Sequence, residues 1–177
     1  MGSGNLKIIA SAGLLIGGAM GIAGTFAPTE ALRGLAWGVD GVSLVIAGAI
    51  LTLLHFRAGH DLPAAGFLVF TAGQTLVLSG APMKSLADMV PSFGAGVGLW
   101  AAGLALVSLA GVFPILVRLL GLAAALMFAV VAAQICLGAT ILPTDQPLPF
   151  FAYPVFVATM VGWAWTLLRG EQNATAD

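Results

Sequence analysis

Charge is what this chain has least of. Six Lys+Arg and seven Asp+Glu amount to 7% of 177 residues and leave a formal net charge of -1, where a soluble domain carries roughly 25% charged residues. That balance offers no basic field for nucleic acid and no acidic tail. A single cysteine, Cys136, excludes a disulfide framework, CxxC redox chemistry and any multi-cysteine metal site. Two histidines leave too little for a His-rich metal centre, and no cofactor-binding set is present. What fills the chain instead is apolar bulk: 60% of the residues are hydrophobic and the mean hydropathy is +1.07. These numbers exclude a water-soluble globular fold and point to an integral membrane protein, with the lipid bilayer as its first partner.

A membrane helix needs about 20 mostly apolar residues to cross about 30 Å of hydrocarbon. Six stretches qualify: Ile8–Ala27, Leu35–Phe56, Leu62–Ala81, Phe93–Phe113, Leu119–Leu142 and Phe150–Leu168. They occupy most of the chain, which therefore reads as a single transmembrane domain, 1–177. The breaks between spans carry turn chemistry at Ala27-Pro28-Thr29-Glu30, around Gly59 and Pro63, and at Pro143-Thr144-Asp145-Gln146-Pro147. The boundary between spans four and five is the weakest signal, because Ile115–Leu142 is one apolar run interrupted only by Arg118. The run after Lys7 is too long for the apolar region of a secretory signal and reads as a retained helix. Met1-Gly2-Ser3-Gly4 reads as an expression scar and is no myristoylation site, since position 6 is Leu6.

Positive charge sets orientation. Lys7, Arg57, Arg118 and Arg169 fall on one side of a six-span path, and Arg33 and Lys84 on the other, beside Glu30, Asp88 and Asp145. Both termini are thus expected in the cytoplasm, with Trp37, Phe93, Phe150 and Tyr153 in an outer aromatic belt. The sequon Asn173-Ala174-Thr175 then falls on the cytoplasmic tail and is discounted.

Proline recurs at the outer end of each odd-numbered span, at Pro28, Pro82 and Pro143, and Thr71-Ala72-Gly73-Gln74 pairs with Val131-Ala132-Ala133-Gln134. The spacing predicts three in–out–in helical hairpins, about 7–57, 62–118 and 119–169, with a longer outer loop in the second and a tail at 170–177. They would surround a pseudo-three-fold axis. Six unrelated helices of biased composition are the alternative. Gly13-Leu14-Leu15-Ile16-Gly17 leading to Ala27-Pro28, continued by Gly38-Val39-Asp40-Gly41 through Gly48, resembles the HdeD-like family of small bacterial inner-membrane proteins built from two-helix repeats. The resemblance implies a multi-pass protein of the inner membrane associated with acid-stress tolerance. It implies no catalytic residues.

Twenty-four glycines call for a packing account. Gly13/Gly17/Gly21, Gly34/Gly38 and Gly94/Gly98 have the spacing that lets helix backbones approach closely. They serve either contacts within the bundle or a homo-oligomer. Gly94-Ala95-Gly96-Val97-Gly98 opens an apolar helix without a preceding strand, so it is no nucleotide loop.

Asp40 is the one ionisable residue clearly inside a span, roughly 8 Å below the outer end of the second at 1.5 Å per residue. Such a group is costly in hydrocarbon. Two readings stand: it reaches interfacial water or pairs with Arg33, or it faces the bundle interior as a protonatable group. Gln74 and Gln134 lie roughly 10–12 Å deep, where the alternative is interhelical hydrogen-bond glue. A shared depth joins Asp40, Gln74 and Gln134, accompanied by Thr71 and Tyr153, into one outward-facing polar pocket with Asp40 as its pH-responsive member. His55 and His60 lie five residues apart at one end of a hairpin and are expected at the interface, not as a haem pair. Cys136 is expected to be a packing residue.

The absence of a nucleophile–base pair or metal constellation argues against an enzyme. The leading expectation is a non-enzymatic inner-membrane protein, HdeD-like, in stress tolerance or membrane integrity. A small channel or transporter for a neutral solute or proton is the second reading, tested by flux in liposomes. An accessory subunit of a larger membrane complex is the third, tested by co-purification.

Overall fold

The computed structural model describes residues 3–80 and 85–174. It is all-helical: α1 (Ser3–Thr25), α2 (Glu30–Arg57), α3 (Asp61–Gly80), α4 (Val90–Leu109), α5 (Ile115–Cys136) and α6 (Ala152–Ala174), with one 3-10 turn at Ala87–Met89 ahead of α4. The first five are long and apolar enough to cross a membrane, the mark of an integral membrane protein. The sixth falls short of that apolarity because Tyr153, Pro154, Thr159, Trp163, Trp165 and Thr166 dilute its aliphatic residues.

Each helix packs on its neighbours in sequence, and α6 closes back on α1. Among the described residues no backbone contact joins helices across the middle, so the six helices form a closed ring. Neighbours run antiparallel. Gly13 and Gly17 of α1 meet Ala47 and Leu44 of α2, and Gly41 and Gly48 of α2 meet Leu78 and Thr71 of α3. At the closing seam Gly21 and Gly18 of α1 face Tyr153 and Val157 of α6, and Ser11 Oγ donates to the Ala164 carbonyl at 3.4 Å.

The tightest seam lies between α3 and α4. Gly66 and Gly73 face Gly103 and Gly96, and a β-carbon on any of the four would come within 3.0 Å of the opposite backbone. Seven-residue spacing of glycine on both helices brings these backbones together over one heptad, by the close-approach logic of small-residue seams. Of the spacings read from the sequence, Gly13/Gly17/Gly21 and Gly94/Gly98 do lie in seams. Gly34 and Gly38 do not: nothing lies within 4 Å of a β-carbon on either, because both sit on the outward side of α2.

Side chains fill the ring's axis. Phe67 and Phe70 from α3, Trp100 from α4, Phe128 from α5, and Phe156 and Trp163 from α6 are all nearly inaccessible, in ring-to-ring contact at centroid distances of 5.0 to 6.4 Å. Large apolar side chains such as Ile16, Leu35, Val42, Leu116, Leu126 and Trp165 instead cover the outside. An apolar exterior of this extent marks a surface made for lipid.

Two boundaries differ from the sequence reading. Arg118 does not interrupt the fifth helix: it lies in the first turn of α5, and its Nε donates to the Ser108 carbonyl at 2.7 Å. The cation thereby caps the carbonyl end of α4, where positive charge is favoured. The fifth helix also ends at Cys136, well before Leu142. Gly138 adopts φ 95°, a conformation that stops a helix at little cost only for glycine, and Pro143, Pro147 and Pro149 keep the chain from resuming it. The longest loop between helices is therefore 137–151, between α5 and α6, whereas the expected longer loop lay between the third and fourth spans. Pro28 and Pro143 sit at the same end of the ring; Pro82, the remaining corner of the expected repeat, is outside the described residues, as is Lys84.

Candidate functional site

The loops at 26–29 and 137–151 lie at one end of the ring, and just inside that end is a cavity of about 60 Å³. Asp40 enters it from α2, Gln74 from α3 and Tyr153 from α6. The Tyr153 hydroxyl donates to Asp40 Oδ1 at 3.2 Å, and the Gln74 amide lies against the same carboxyl. Asp40 and Gln74 are only 5% and 1% exposed. Phe93, Trp100 and Phe128 wall the cavity, while Pro143, Pro149 and Phe150 from the long loop roof it.

Local sequence builds this geometry. Thr29 caps α2 by accepting from the Leu32 N–H, which starts that helix at Glu30, so that Asp40 arrives on the inward face with Ala36, Gly41 and Leu44. Gly21 of α1 leaves the space that the Tyr153 hydroxyl occupies; a side chain there would collide with it. Trp37 is fixed by its Nε1–H, which donates to the Gly21 carbonyl at 3.3 Å. Gly24, one turn on, makes room for that indole.

Two polar atoms in the cavity wall are left over. Gln74 Oε1, an acceptor, and Trp100 Nε1, a donor, are buried without a hydrogen-bond partner among the described residues. Buried polar groups are nearly always paired, so two orphans facing one cavity mark it as built for more than packing.

The structure brings together Asp40, Gln74 and Tyr153, and separates the other two residues expected beside them. Gln134 is exposed and borders a different, more open hollow with Asp145, Gln146 and Leu148. Reckoned at about 100° per residue, it lies roughly 120° around α5 from Phe128, which faces the axis. Equal depth had suggested a shared pocket; the helical face decides otherwise. Thr71 is half-buried in the α2–α3 seam, where it donates to the Phe67 carbonyl at 2.7 Å and abuts Gly48.

Several other expectations are also revised. Arg33 does not pair with Asp40: its guanidinium reaches the Ala27 carbonyl at 3.4 Å and lies 6.0 Å from the Trp37 ring. Trp37, Phe93, Phe150 and Tyr153 do share one depth, but all four line the cavity and do not form an outward belt. Cys136 is exposed, not packed. At the opposite end His55 is buried, its Nδ1 2.9 Å from the Leu51 carbonyl and its ring 5.1 Å from Phe67 and 5.7 Å from Phe113. Beside it an open groove is bordered by Lys7, Arg57 and His60. Trp100 and Phe128 were not singled out by the sequence, where each reads as one more apolar residue in an apolar helix.

Fold and site together define an all-helical ring with the apolarity of a membrane protein and a buried carboxyl–phenol pair near one end. No family model, curated protein or solved structure matches the chain.

Proposed function

We propose that this is a non-enzymatic protein of the bacterial inner membrane whose working part is the Asp40 cavity. In this reading the chain runs as three in–out–in hairpins with both termini cytoplasmic, so the cavity opens towards the periplasm. There it takes a small polar ligand, and Asp40 exchanges a proton with the outside as the pH falls. The buried Asp40–Tyr153 pair carries the reading, because an ionisable group held away from water is expensive and is retained for a use. The groups facing the Asp40 carboxyl are Tyr153 from α6 and Gln74 from α3; on the α1 side Gly21 meets the Tyr153 hydroxyl and Gly17 the Asp40 backbone carbonyl. Arg33, on its own helix, is engaged elsewhere. The HdeD-like resemblance adds the physiological role, tolerance of acid or related stress.

The deciding experiment is acid survival of cells carrying the wild type or Asp40→Asn, matched for membrane expression. Asp40→Asn fixes the shape of the protonated group, so survival should lose its dependence on the native protein at low pH and stay unchanged at neutral pH. Equal survival with both forms would sink the reading. Orientation is tested separately in a Cys136→Ala background. A cysteine at Thr144 should react with an impermeant thiol reagent added outside, and one at Ala58 should not.

Passage of a solute or proton through the ring is the second reading, supported by the same cavity. Phe67, Phe70, Phe156 and Trp163 fill the axis below it, so conduction requires those rings to part. The repeat proposal predicts that α1–α2, α3–α4 and α5–α6 superpose about a pseudo-three-fold axis. Assembly into a homo-oligomer or a larger membrane complex would use the uncovered Gly34/Gly38 side of α2.

A further inference from the structure

Burial, hydrogen-bonding capacity and wall composition together restrict what the cavity can hold. Asp40 has no cationic partner among the described residues, because the nearest cation along α2, Arg33, is occupied at the Ala27 carbonyl. Gln74 Oε1 adds a second acceptor without a donor. Two acceptors side by side, one of them a carboxylate, ask for a ligand that donates N–H bonds and carries positive charge. Trp37, Phe93, Trp100, Phe128 and Phe150 supply aromatic walls, and aromatic faces attract cations. The orphan Trp100 N–H asks for an acceptor, which a neutral amide could supply. Its unmade bond is the smaller debt, because a buried carboxylate whose charge no cation balances costs more than an unpaired indole N–H, and a bridging water can meet it.

We infer that the cavity binds a small organic cation with N–H donors, of the guanidinium or amidinium class. The inference rests on the ligand-binding reading of the cavity given above. Size agrees: a volume of about 60 Å³ holds roughly four to six water-sized groups at about 10–15 Å³ each. That admits the four heavy atoms of guanidinium with a water against Trp100. One edge of the ligand's N–H fork meets the Asp40 carboxylate in the paired geometry such groups favour, and another N–H meets Gln74 Oε1. Tyr153 holds the carboxyl in place through Oδ1.

The test uses the purified full chain in detergent micelles, titrated with guanidinium, urea and tetramethylammonium chloride at millimolar concentrations. Binding is followed by calorimetry and by the emission of Trp37 and Trp100. Urea has the shape of guanidinium without its charge; tetramethylammonium has the charge without N–H donors. Guanidinium should bind saturably, and the other two at least about ten-fold more weakly. Asp40→Asn should weaken guanidinium by about ten- to a hundred-fold, the range for a hydrogen bond to a charged group. Urea binding as tightly as guanidinium would overturn the cation class and leave the ligand pocket standing. Tetramethylammonium binding equally well would overturn the donor requirement. If none of the three binds while Asp40→Asn still removes acid survival, the ligand class fails alone. If none binds and survival is also unchanged, the pocket reading fails with it. The comparison of the two cations and urea on wild type needs no variant, so a folding defect in Asp40→Asn cannot mask the answer.

Discussion

The two halves of the ring's axis are built from the same six helices and carry opposite contents. Towards His55 the axis is solid with Phe67, Phe70, Phe113, Phe156 and Trp163 in mutual ring contact. Towards the long loop, the same helices leave a cavity and place Asp40, Gln74 and Tyr153 around it. The helix seams are no looser there, since Gly73 and Gly96 are in backbone contact at the level between the two halves. Interhelical distance therefore does not decide whether the interior is filled. Side-chain placement does: Phe67 and Phe70 of α3 meet Trp163 of α6 ring to ring in the filled half, whereas Gln74 and Tyr153 border the cavity in the other.

The contrast can be broken most severely in the filled half. Trp163→Ala removes the largest fully buried side chain and should cost about 3–5 kcal/mol, the range for aromatic-to-alanine changes in packed interiors. Reversible unfolding in mixed detergent micelles would measure it. A cost below about 1 kcal/mol would mean that the rings are not a packed column. In the polar half the corresponding change is smaller. Tyr153→Phe keeps the ring and deletes the hydroxyl, removing one hydrogen bond to the Asp40 carboxylate, and should cost about 1.5–3 kcal/mol in the same assay. The smallest effect tests the ring's outside. Gly34→Ala and Gly38→Ala meet nothing within 4 Å and replace glycine within a helix. Unfolding of the monomer should shift by no more than about 1 kcal/mol, towards greater stability. A larger loss, or a change in oligomeric state on gel filtration, would show that this side of α2 is covered by a partner.

The helices themselves were legible, because a run of about 20 apolar residues has few alternatives. Their ends were less so. The stop after Cys136 depends on the backbone angle of Gly138, and the join between α4 and α5 on Arg118 reaching back to Ser108, neither of which apolarity reports. For the site, Asp40 and Gln74 stand out in the sequence as polar groups at depth, and both border the same cavity. Gln134 carried an equal signal and led astray. A helix in lipid is apolar on its outer face as well as its inner one, so the amphipathic period that assigns a face in water is nearly absent from α5. The α3–α4 seam was readable in principle, since Gly66, Gly73 and Gly80 recur every seven residues. Ring closure was not, because it depends on α6 meeting α1 across the whole length of the chain.

That closure has a consequence in time. Asp40 and Tyr153 are 113 residues apart, and at about 5–20 residues per second a ribosome needs roughly 6 to 23 seconds to make that stretch. Throughout that interval the carboxyl must already be lodged in the nascent bundle without the phenol that will hold it. Until α6 arrives, Gln74 of α3, made 34 residues after Asp40, is the partner that can hold it.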